Sequence, residues 1–220
     1  MPWRMSLVVT SLSCQRSGRA IQTDLSFNSV IGRALFLRGP NGVGKTTVLR
    51  TLAGLMPVSG GDAVLNGASL VQQRDDYTDQ VAMAGHLDAV KPQLTVAEAL
   101  QFWSTLHGNG DVASAMADFD LTDLQDRPAG RLSAGQRRRL GLARLALTGA
   151  KLWLMDEPAN SLDTASTVRL AARIDQHLAA GGLAIIATHT EIPVTFSETL
   201  TLTHPAPSVA SDPFLDPAVA

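Results

Sequence analysis

The chain alternates between short apolar runs and longer stretches that carry apolar residues at helical spacing. Apolar runs of about 4–8 residues bounded by turn-forming residues are typical of buried strands. This pattern predicts strands at residues 6–12, 34–38, 81–84, 152–155 and 183–188. Because strands that alternate with helices form parallel sheets, the order of elements predicts an α/β fold.

Helices are predicted between these strands from apolar spacing and from capping residues. Thr95 and Glu98 form a capping-box pattern at the start of one helix. Ser133 is the expected N-cap of a long helix that ends near residue 149. Three further helices are predicted at residues 45–55, 111–119 and 165–180.

These elements predict one domain over residues 1–203. Its core is expected at about 1–86 and 149–203, with a helical subdomain inserted at about 87–148. The segment 58–80 is rich in Gly, Asp, Asn and Gln, which predicts turns and short antiparallel strands. Residues 204–220 are rich in Pro, Ala and Ser, so we expect a disordered tail.

Composition narrows the classes of protein that fit. The 220 residues are 45% hydrophobic and 17% charged, which is typical of an ordered globular domain. A net charge of −2 gives no reason to expect a nucleic-acid partner. Cys14 is the only cysteine, so no internal disulfide forms. We expect neither a signal peptide nor a membrane-spanning helix. A role at a membrane therefore requires another chain.

A glycine-rich loop follows the strand predicted at 34–38 and precedes a predicted helix. It matches the pattern G-x-x-x-x-G-K-[ST], whose main-chain N–H groups surround phosphates. Lys45 adds a positive charge to this cradle, and the Thr46 hydroxyl is a ligand for Mg²⁺. The predicted ATP-binding residues are Gly39, Pro40, Asn41, Gly42, Val43, Gly44, Lys45, Thr46 and the following Thr47.

Two carboxylates and a histidine follow the later strands. Asp156 ends the apolar run at 152–155, and we expect it to hold Mg²⁺ directly or through water. Glu157 is placed to deprotonate the attacking water, although Asp-Glu pairs also cap helices and turns. His189 follows the strand at 183–188 and is predicted to contact the γ-phosphate; a single histidine is otherwise most often structural. Lys45, Glu157 and His189 are the predicted catalytic residues.

The segment Leu132-Ser133-Ala134-Gly135-Gln136, placed before the strand that ends in Asp156-Glu157, resembles the signature motif of ABC-transporter ATPase subunits. The resemblance covers residues 5–203. It implies a P-loop NTPase fold with a RecA-like parallel core, an antiparallel β subdomain and an inserted helical subdomain. It also implies a head-to-tail dimer, in which one subunit's P-loop and its partner's signature enclose ATP.

The same resemblance assigns further residues. Ser133, Gly135 and Gln136 would cover the partner's ATP from a helix N-terminus, and Asp163 belongs to the D-loop at 161–163. Arg137, Arg138 and Arg139 follow the signature, and they form either a solvated face or an interface or nucleotide contact.

Three positions depart from the family pattern. His86 stands where the resemblance places the Q-loop glutamine, so it is grouped with Thr46 and Asp156 as a metal ligand. Ala134 replaces the middle glycine of the signature, which is a mild change. Arg16 stands where an aromatic residue normally stacks on adenine; its guanidinium either stacks there or points into solvent.

Several runs resemble the ATP-binding subunit of the cytochrome c maturation system more closely. They are GHL at 85–87, LTVAEALQFWSTLHG at 94–108 and RPAGRLSAGQRRRLGLARL at 127–145. The resemblance implies a peripheral subunit at the cytoplasmic face of the bacterial inner membrane, bound to integral membrane subunits. Its task would be ATP-driven haem export or release of a haem-loaded chaperone. Because the sequence has no C-x-x-C-H motif, we expect no direct haem binding.

Three alternatives remain open. The chain is an ATPase subunit of another small-substrate ABC transporter, a soluble ABC-type ATPase, or a nucleotide-gated clamp. Soluble relatives usually carry tandem nucleotide domains or long coiled-coil insertions, and this chain has a single P-loop. Glu157 argues against a clamp, which needs no general base. A membrane partner is expected near residues 87–103, with Phe102 or Trp103 in the core.

Overall fold

The computed structural model describes residues 6–85, 90–108 and 110–204. Within them lie nine strands, which form two sheets. The strands are β1 (Ser6–Arg16), β2 (Arg19–Val30), β3 (Ala34–Arg38), β4 (Val58–Leu65), β5 (Ala68–Ser69), β6 (Val81–Ala84), β7 (Leu152–Asp156), β8 (Leu183–Ala187) and β9 (Ser197–Thr201). An antiparallel sheet has the order β2-β1-β4-β5, and a parallel sheet has the order β6-β7-β8-β3-β9. The predicted α/β fold with an antiparallel subdomain is confirmed.

Six helices connect these strands in the described part of the chain. They are α1 (Lys45–Leu52), α2 (Arg74–Thr78), α3 (Val96–His107), α4 (Val112–Asp118), α5 (Ala134–Ala143) and α6 (Thr164–Ala179). The helices α3, α4 and α5 all lie between β6 and β7, as an insertion into the parallel sheet. The capping box at Thr95 is present: its hydroxyl accepts from the Glu98 N–H, and the Glu98 carboxylate accepts from the Thr95 N–H.

The long helix predicted from Ser133 is shorter than expected. The α-helix α5 ends at Ala143, and the chain continues as a 3₁₀ helix over Arg144–Leu147. This tighter turn places Leu145 and Leu147 in the core. Apolar residues continue through both helices. Their spacing therefore does not show where the α-helix ends and the 3₁₀ helix begins.

The central strands β7 and β8 of the parallel sheet are buried on both faces, and their alternate residues point to opposite sides of the sheet. Trp153 and Met155 of β7 pack with the inserted helices and α6. Leu152 and Leu154 pack with α1 and the antiparallel sheet. The two hydrophobic clusters therefore hold the carboxyl ends of β3, β7 and β8 in a fixed relation. Burying one such side chain contributes about 1.5–3 kcal/mol.

Candidate functional site

The predicted site residues from three separate stretches of sequence meet at one edge of the parallel sheet. β7, β8 and β3 are neighbours, with Asp156 opposite Ala187 and Leu37 opposite Ala187. The phosphate loop follows β3, Glu157 follows β7, and His189 lies two residues after β8. Ligands of open α/β sheets bind at the carboxyl ends of the strands, and this is where the three stretches converge.

The phosphate loop requires a glycine at position 44. Gly44 has φ 109°, a conformation that residues with a side chain rarely adopt. A Cβ atom there would lie 2.5 Å from Cγ2 of Ile21 on β2. The antiparallel sheet therefore packs directly against the loop, and Ile21 contributes to the site although no sequence signal predicts it. The Val43 side chain is fully buried, so this residue faces the loop only through its main chain.

Lys45 lies within the loop and is largely buried, at 9% exposed. Its Nζ donates to the Gly39 carbonyl at 2.8 Å and to the Pro40 carbonyl at 3.2 Å. Nζ also lies 3.0 Å from Nε2 of His189. Because an ammonium group only donates, Nε2 accepts in this contact. The structure thus brings Lys45 and His189, both predicted catalytic residues, into contact. Phosphate oxygens would be stronger acceptors for Nζ than the two carbonyls that it now contacts.

Thr46 and Asp156 form a pair of oxygen ligands at the base of the cleft. The Thr46 hydroxyl donates to Oδ2 of Asp156 at 2.9 Å. Asp156 is 4% exposed, so its carboxylate is held by the fold. One hydroxyl and one carboxylate suit Mg²⁺, which usually takes one or two carboxylates together with waters and phosphate oxygens. The described residues contain no cluster of three or more His, Cys, Asp or Glu side chains that would indicate a different metal.

Glu157 is held in an unusual main-chain conformation. Its φ is 48°, in the left-handed region that is costly for a residue with a side chain. Its N–H donates to the Ala187 carbonyl at 2.7 Å, and its Oε2 accepts from the His189 N–H at 3.3 Å. Nε2 of His189 lies 3.8 Å from Oε1. The predicted base and the predicted histidine are therefore neighbours.

Arg38, at the end of β3, is a site residue that the sequence does not reveal. Its guanidinium donates to the carbonyls of Thr188 and Thr190, the residues on either side of His189. It also lies 5.2 Å from the centre of the Phe36 ring. Arg38 therefore fixes the main chain that carries His189.

The loop and the carboxylates enclose an open cleft of about 280 Å³. Arg16 lies at its rim and is exposed, which is compatible with either of the two orientations predicted for it. Gln22 supports the cleft from behind: its Nε2 donates to the Val43 carbonyl at 2.7 Å and to the Thr203 carbonyl at 2.8 Å. The lining residues are Arg16, Ile21, Asn41, Gly42, Gly44, Lys45, Thr46, Thr47, Asp156 and Glu157.

The signature residues are not part of this lining. Ser133 and Gln136 instead form a capping box at the start of α5, in which each side chain accepts from the other residue's N–H. Gly135 packs on the D-loop, because a Cβ atom there would lie 2.7 Å from the Ser161 carbonyl oxygen. Asp163 caps α6, and hydrogen bonds from Ser166 lower the pKa of its carboxyl group. His86 lies outside the described residues.

Arg138 contradicts both interpretations of the arginine run. It is neither solvated nor at an exposed interface, since it is 4% exposed. Its guanidinium donates to the carbonyls of Gly85, Asp156, Glu157 and Pro158. The neighbouring Arg139 forms an ion pair with Asp120. Helical spacing explains the difference, because residue 138 lies on the face of α5 that includes the buried Leu142.

The fold and the cleft together define an ATPase of the ABC type. The P-loop joins β3 of the parallel sheet to α1. β8 lies between β3 and β7, and Asp156 and Glu157 stand at the end of β7. An inserted helical segment carries the signature sequence at the start of α5. The sequence model of the ABC transporter family matches residues 22–160, and the chain binds and hydrolyses ATP as members of that family do.

The chain is also similar to individual proteins over most of its length. The chain is 49% identical over 188 residues to the cytochrome c biogenesis ATP-binding export protein CcmA of Ruegeria pomeroyi, covering 86% of this chain and 87% of the relative. It is 44% identical to the protein of that name from Cereibacter sphaeroides, covering 96% and 98%. A solved ATP-binding subunit of an ABC transporter matches with a TM-score of 0.75 at 25% identity, covering 83% of this chain and 79% of that one. The chain therefore belongs to the ABC transporter family and, within it, to the CcmA export proteins.

Proposed function

We propose that two copies of the chain enclose ATP and Mg²⁺ and hydrolyse ATP to drive an export step in c-type cytochrome biogenesis. The similarity to cytochrome c biogenesis export proteins supports the biological role. The chemical part of the proposal rests on five residues that converge at the ends of three neighbouring strands. They are Lys45, Thr46, Asp156, Glu157 and His189.

The polar and charged side chains of the cleft have distinct roles in this proposal. Lys45 exchanges its contacts with the Gly39 and Pro40 carbonyls for phosphate oxygens when ATP binds. Thr46 and Asp156 hold Mg²⁺, which supplies charge neutralisation at the β- and γ-phosphates. Arg16, at the rim, is the candidate to stack on the base, with its guanidinium otherwise pointing into solvent. The main-chain N–H groups of residues 39–47 surround the phosphates.

Hydrolysis begins with a water molecule beside Glu157. The carboxylate takes a proton from this water, and the water oxygen bonds to the γ-phosphorus. The bond between the γ-phosphorus and its bridging oxygen breaks, and ADP leaves with the electron pair. His189 contacts a γ-phosphate oxygen by donating from Nε2; this nitrogen accepts from Lys45 in the structure and carries the proton once Lys45 has turned to the phosphates. Arg38 keeps this histidine in place through the carbonyls of Thr188 and Thr190 on its two sides.

The second copy supplies the residues that the cleft does not contain. Ser133, Gly135 and Gln136 lie at the start of α5, where the main-chain N–H groups of Ala134 and Gly135 lie outside the capping box and, with the helix dipole, favour a phosphate. Asp163 and the D-loop pack beside them. In a head-to-tail dimer, these residues close over the partner's ATP. The two nucleotide sites are then equivalent, as expected for a symmetric dimer.

The proposed location is the cytoplasmic face of the inner membrane, on integral membrane subunits. No helix in the described residues has the length and apolar character needed to cross a membrane. An apolar groove lies along α3, where Phe102 is 48% exposed. Trp103 packs beneath it, partly buried against the core. We place the membrane subunits on this groove, which is lined by Val90, Lys91, Leu94, Phe102, Trp103 and Arg144. The chain needs no contact with haem.

The experiment that tests this function compares the wild-type chain with Glu157→Gln. Both are purified with the membrane subunits they retain, and ATP turnover and ATP affinity are measured separately. Loss of a positioned general base lowers turnover by about 10²–10⁴-fold while leaving the phosphate cradle intact. We therefore expect turnover to collapse and binding to persist. Equal turnover in the two proteins would refute the assignment of the base.

A further inference from the structure

Arg138 is a buried charge that the proposed chemistry does not use. Its Nη2 donates to the carbonyls of Asp156 at 2.9 Å and Glu157 at 2.8 Å. Its Nε donates to the Pro158 carbonyl at 3.1 Å, and its Nη1 donates to the Gly85 carbonyl at 2.7 Å. A guanidinium has five N–H donors in a rigid planar fork, and this fork spans three consecutive carbonyls. A lysine in its place cannot reproduce that geometry.

Those carbonyls belong to the turn that holds Glu157 in its left-handed conformation. With φ at 48°, this residue relaxes towards an ordinary conformation unless its main chain is tied on both sides. Its N–H is tied to the Ala187 carbonyl on β8, at 2.7 Å. Its carbonyl accepts from Arg138 on α5 at 2.8 Å and from the Asn160 N–H within the turn at 3.2 Å. Loss of Arg138 leaves this carbonyl with the local contact alone and removes the link between the turn and α5.

We propose that Arg138 is a positioning residue for ATP hydrolysis: it fastens the turn carrying Glu157 to α5, the helix whose start bears the signature sequence. This inference rests on the proposed function, because it requires Glu157 to be the base. Arg138 is not among the residues that line the ATP cleft, and it acts through the main chain of residues 156–158. Its loss therefore lowers the rate of hydrolysis without weakening the phosphate cradle around Lys45.

The test compares Arg138→Met with a matched control in the chain co-purified with its membrane subunits. Arg173→Met is that control, because Arg173 is also a largely enclosed arginine, with 18% of its side chain exposed. It pairs with Asp118 at 3.3 Å and lies over the Trp153 ring, away from the Glu157 turn. We expect Arg138→Met to lower kcat by about 10- to 100-fold, as small misplacements of catalytic groups do. The KM for ATP stays near the wild-type value, and Arg173→Met keeps its kcat.

A double variant distinguishes positioning from a general loss of structure. If Arg138 acts only through Glu157, then adding Arg138→Met to Glu157→Gln leaves the residual turnover unchanged. A further loss in the double variant, equal to the loss in the single one, would overturn the inference. Wild-type turnover in Glu157→Gln alone would instead overturn the proposed function. Failure of the inference about Arg138 and failure of the proposed function therefore give different results.

Arg138→Lys covers the case in which the methionine variant fails to fold. Lysine keeps the charge and part of the contact with the carbonyls, so the expected kcat lies between those of the wild type and Arg138→Met, at an unchanged KM. A kcat equal to that of the wild type would show that the fork does not position Glu157. A raised KM at unchanged kcat would also count against the inference, because it would place Arg138 in ATP binding.

Discussion

His177 makes the stability of this protein depend on pH below neutrality. The side chain is 8% exposed and stacks on Trp153, with ring centres 3.9 Å apart and planes within 4° of parallel. Burial lowers the pKa of His177 from 6.5 to about 4, and the positive charges of Arg173 and Lys151 act in the same direction. A hydrogen bond to the Leu183 carbonyl opposes the shift but does not cancel it.

The direction and size of the effect follow from this shift in pKa. Above pH 6.5 the imidazole of His177 is neutral in both the folded and the unfolded chain. As pH falls from 6.5 towards 4, His177 binds a proton in the unfolded chain but stays neutral in the folded chain. The free energy of unfolding therefore decreases as pH falls. A pKa lowered from 6.5 to about 4 corresponds to about 3 kcal/mol in total. About 2 kcal/mol of this is lost between pH 7 and pH 5.

The assay is urea unfolding of the wild-type chain and of His177→Phe at pH 7 and pH 5. Phenylalanine keeps a ring against Trp153 but cannot titrate, so we expect its loss of stability between the two pH values to be smaller by about 2 kcal/mol. Leu178→Ala, also on α6 and buried, is the control. It lowers stability at both pH values but should keep the wild-type pH dependence. The same pH dependence in His177→Phe and the wild type would refute the argument.

Two further predictions concern the ATP cleft. Lys45→Ala removes a charge-assisted hydrogen bond to phosphate worth about 1.5–3 kcal/mol, so ATP affinity should fall about 10- to 100-fold in a fluorescent-nucleotide titration; unchanged affinity would count against the cradle. Arg38→Met releases the carbonyls of Thr188 and Thr190, so kcat should fall while ATP affinity is kept. Arg33→Met, which removes an exposed ion pair to Glu198, is the control for that change, and a kcat no lower in Arg38→Met than in Arg33→Met would contradict the positioning of His189 by Arg38.

The elements with strong local signals could be predicted from the sequence. The strands at 34–38 and 81–84 have the predicted bounds, because each is a short apolar run between turn residues. The capping box at Thr95 fixes the start of α3. By contrast β2 and β9 are mostly exposed, so they carry no apolar run. The five-residue α2 has a single buried side chain, Tyr77, and shows no helical periodicity.

The residues of the cleft likewise divide into those that could be predicted from the sequence and those that could not. Lys45, Thr46, Asp156 and Glu157 could be predicted because the chemistry of phosphate binding fixes their types and their places after strands. Arg38 and Arg138 could not, because their acceptors are main-chain carbonyls that lie far away in the sequence. No pattern of residue types marks a carbonyl as an acceptor. Only the packing of β3 beside β8, and of α5 against the end of β7, brings these groups together.

The most direct test of the central claim is the mass of the Glu157→Gln chain in solution with and without ATP and Mg²⁺. Light scattering after size exclusion should give 23.2 kDa without nucleotide and about twice that value with it, since ATP binds but is not consumed. Adding Ser133→Arg should abolish the dimer while ATP still binds to the P-loop. A single-chain mass for Glu157→Gln at saturating ATP would contradict the proposal that two copies enclose the nucleotide.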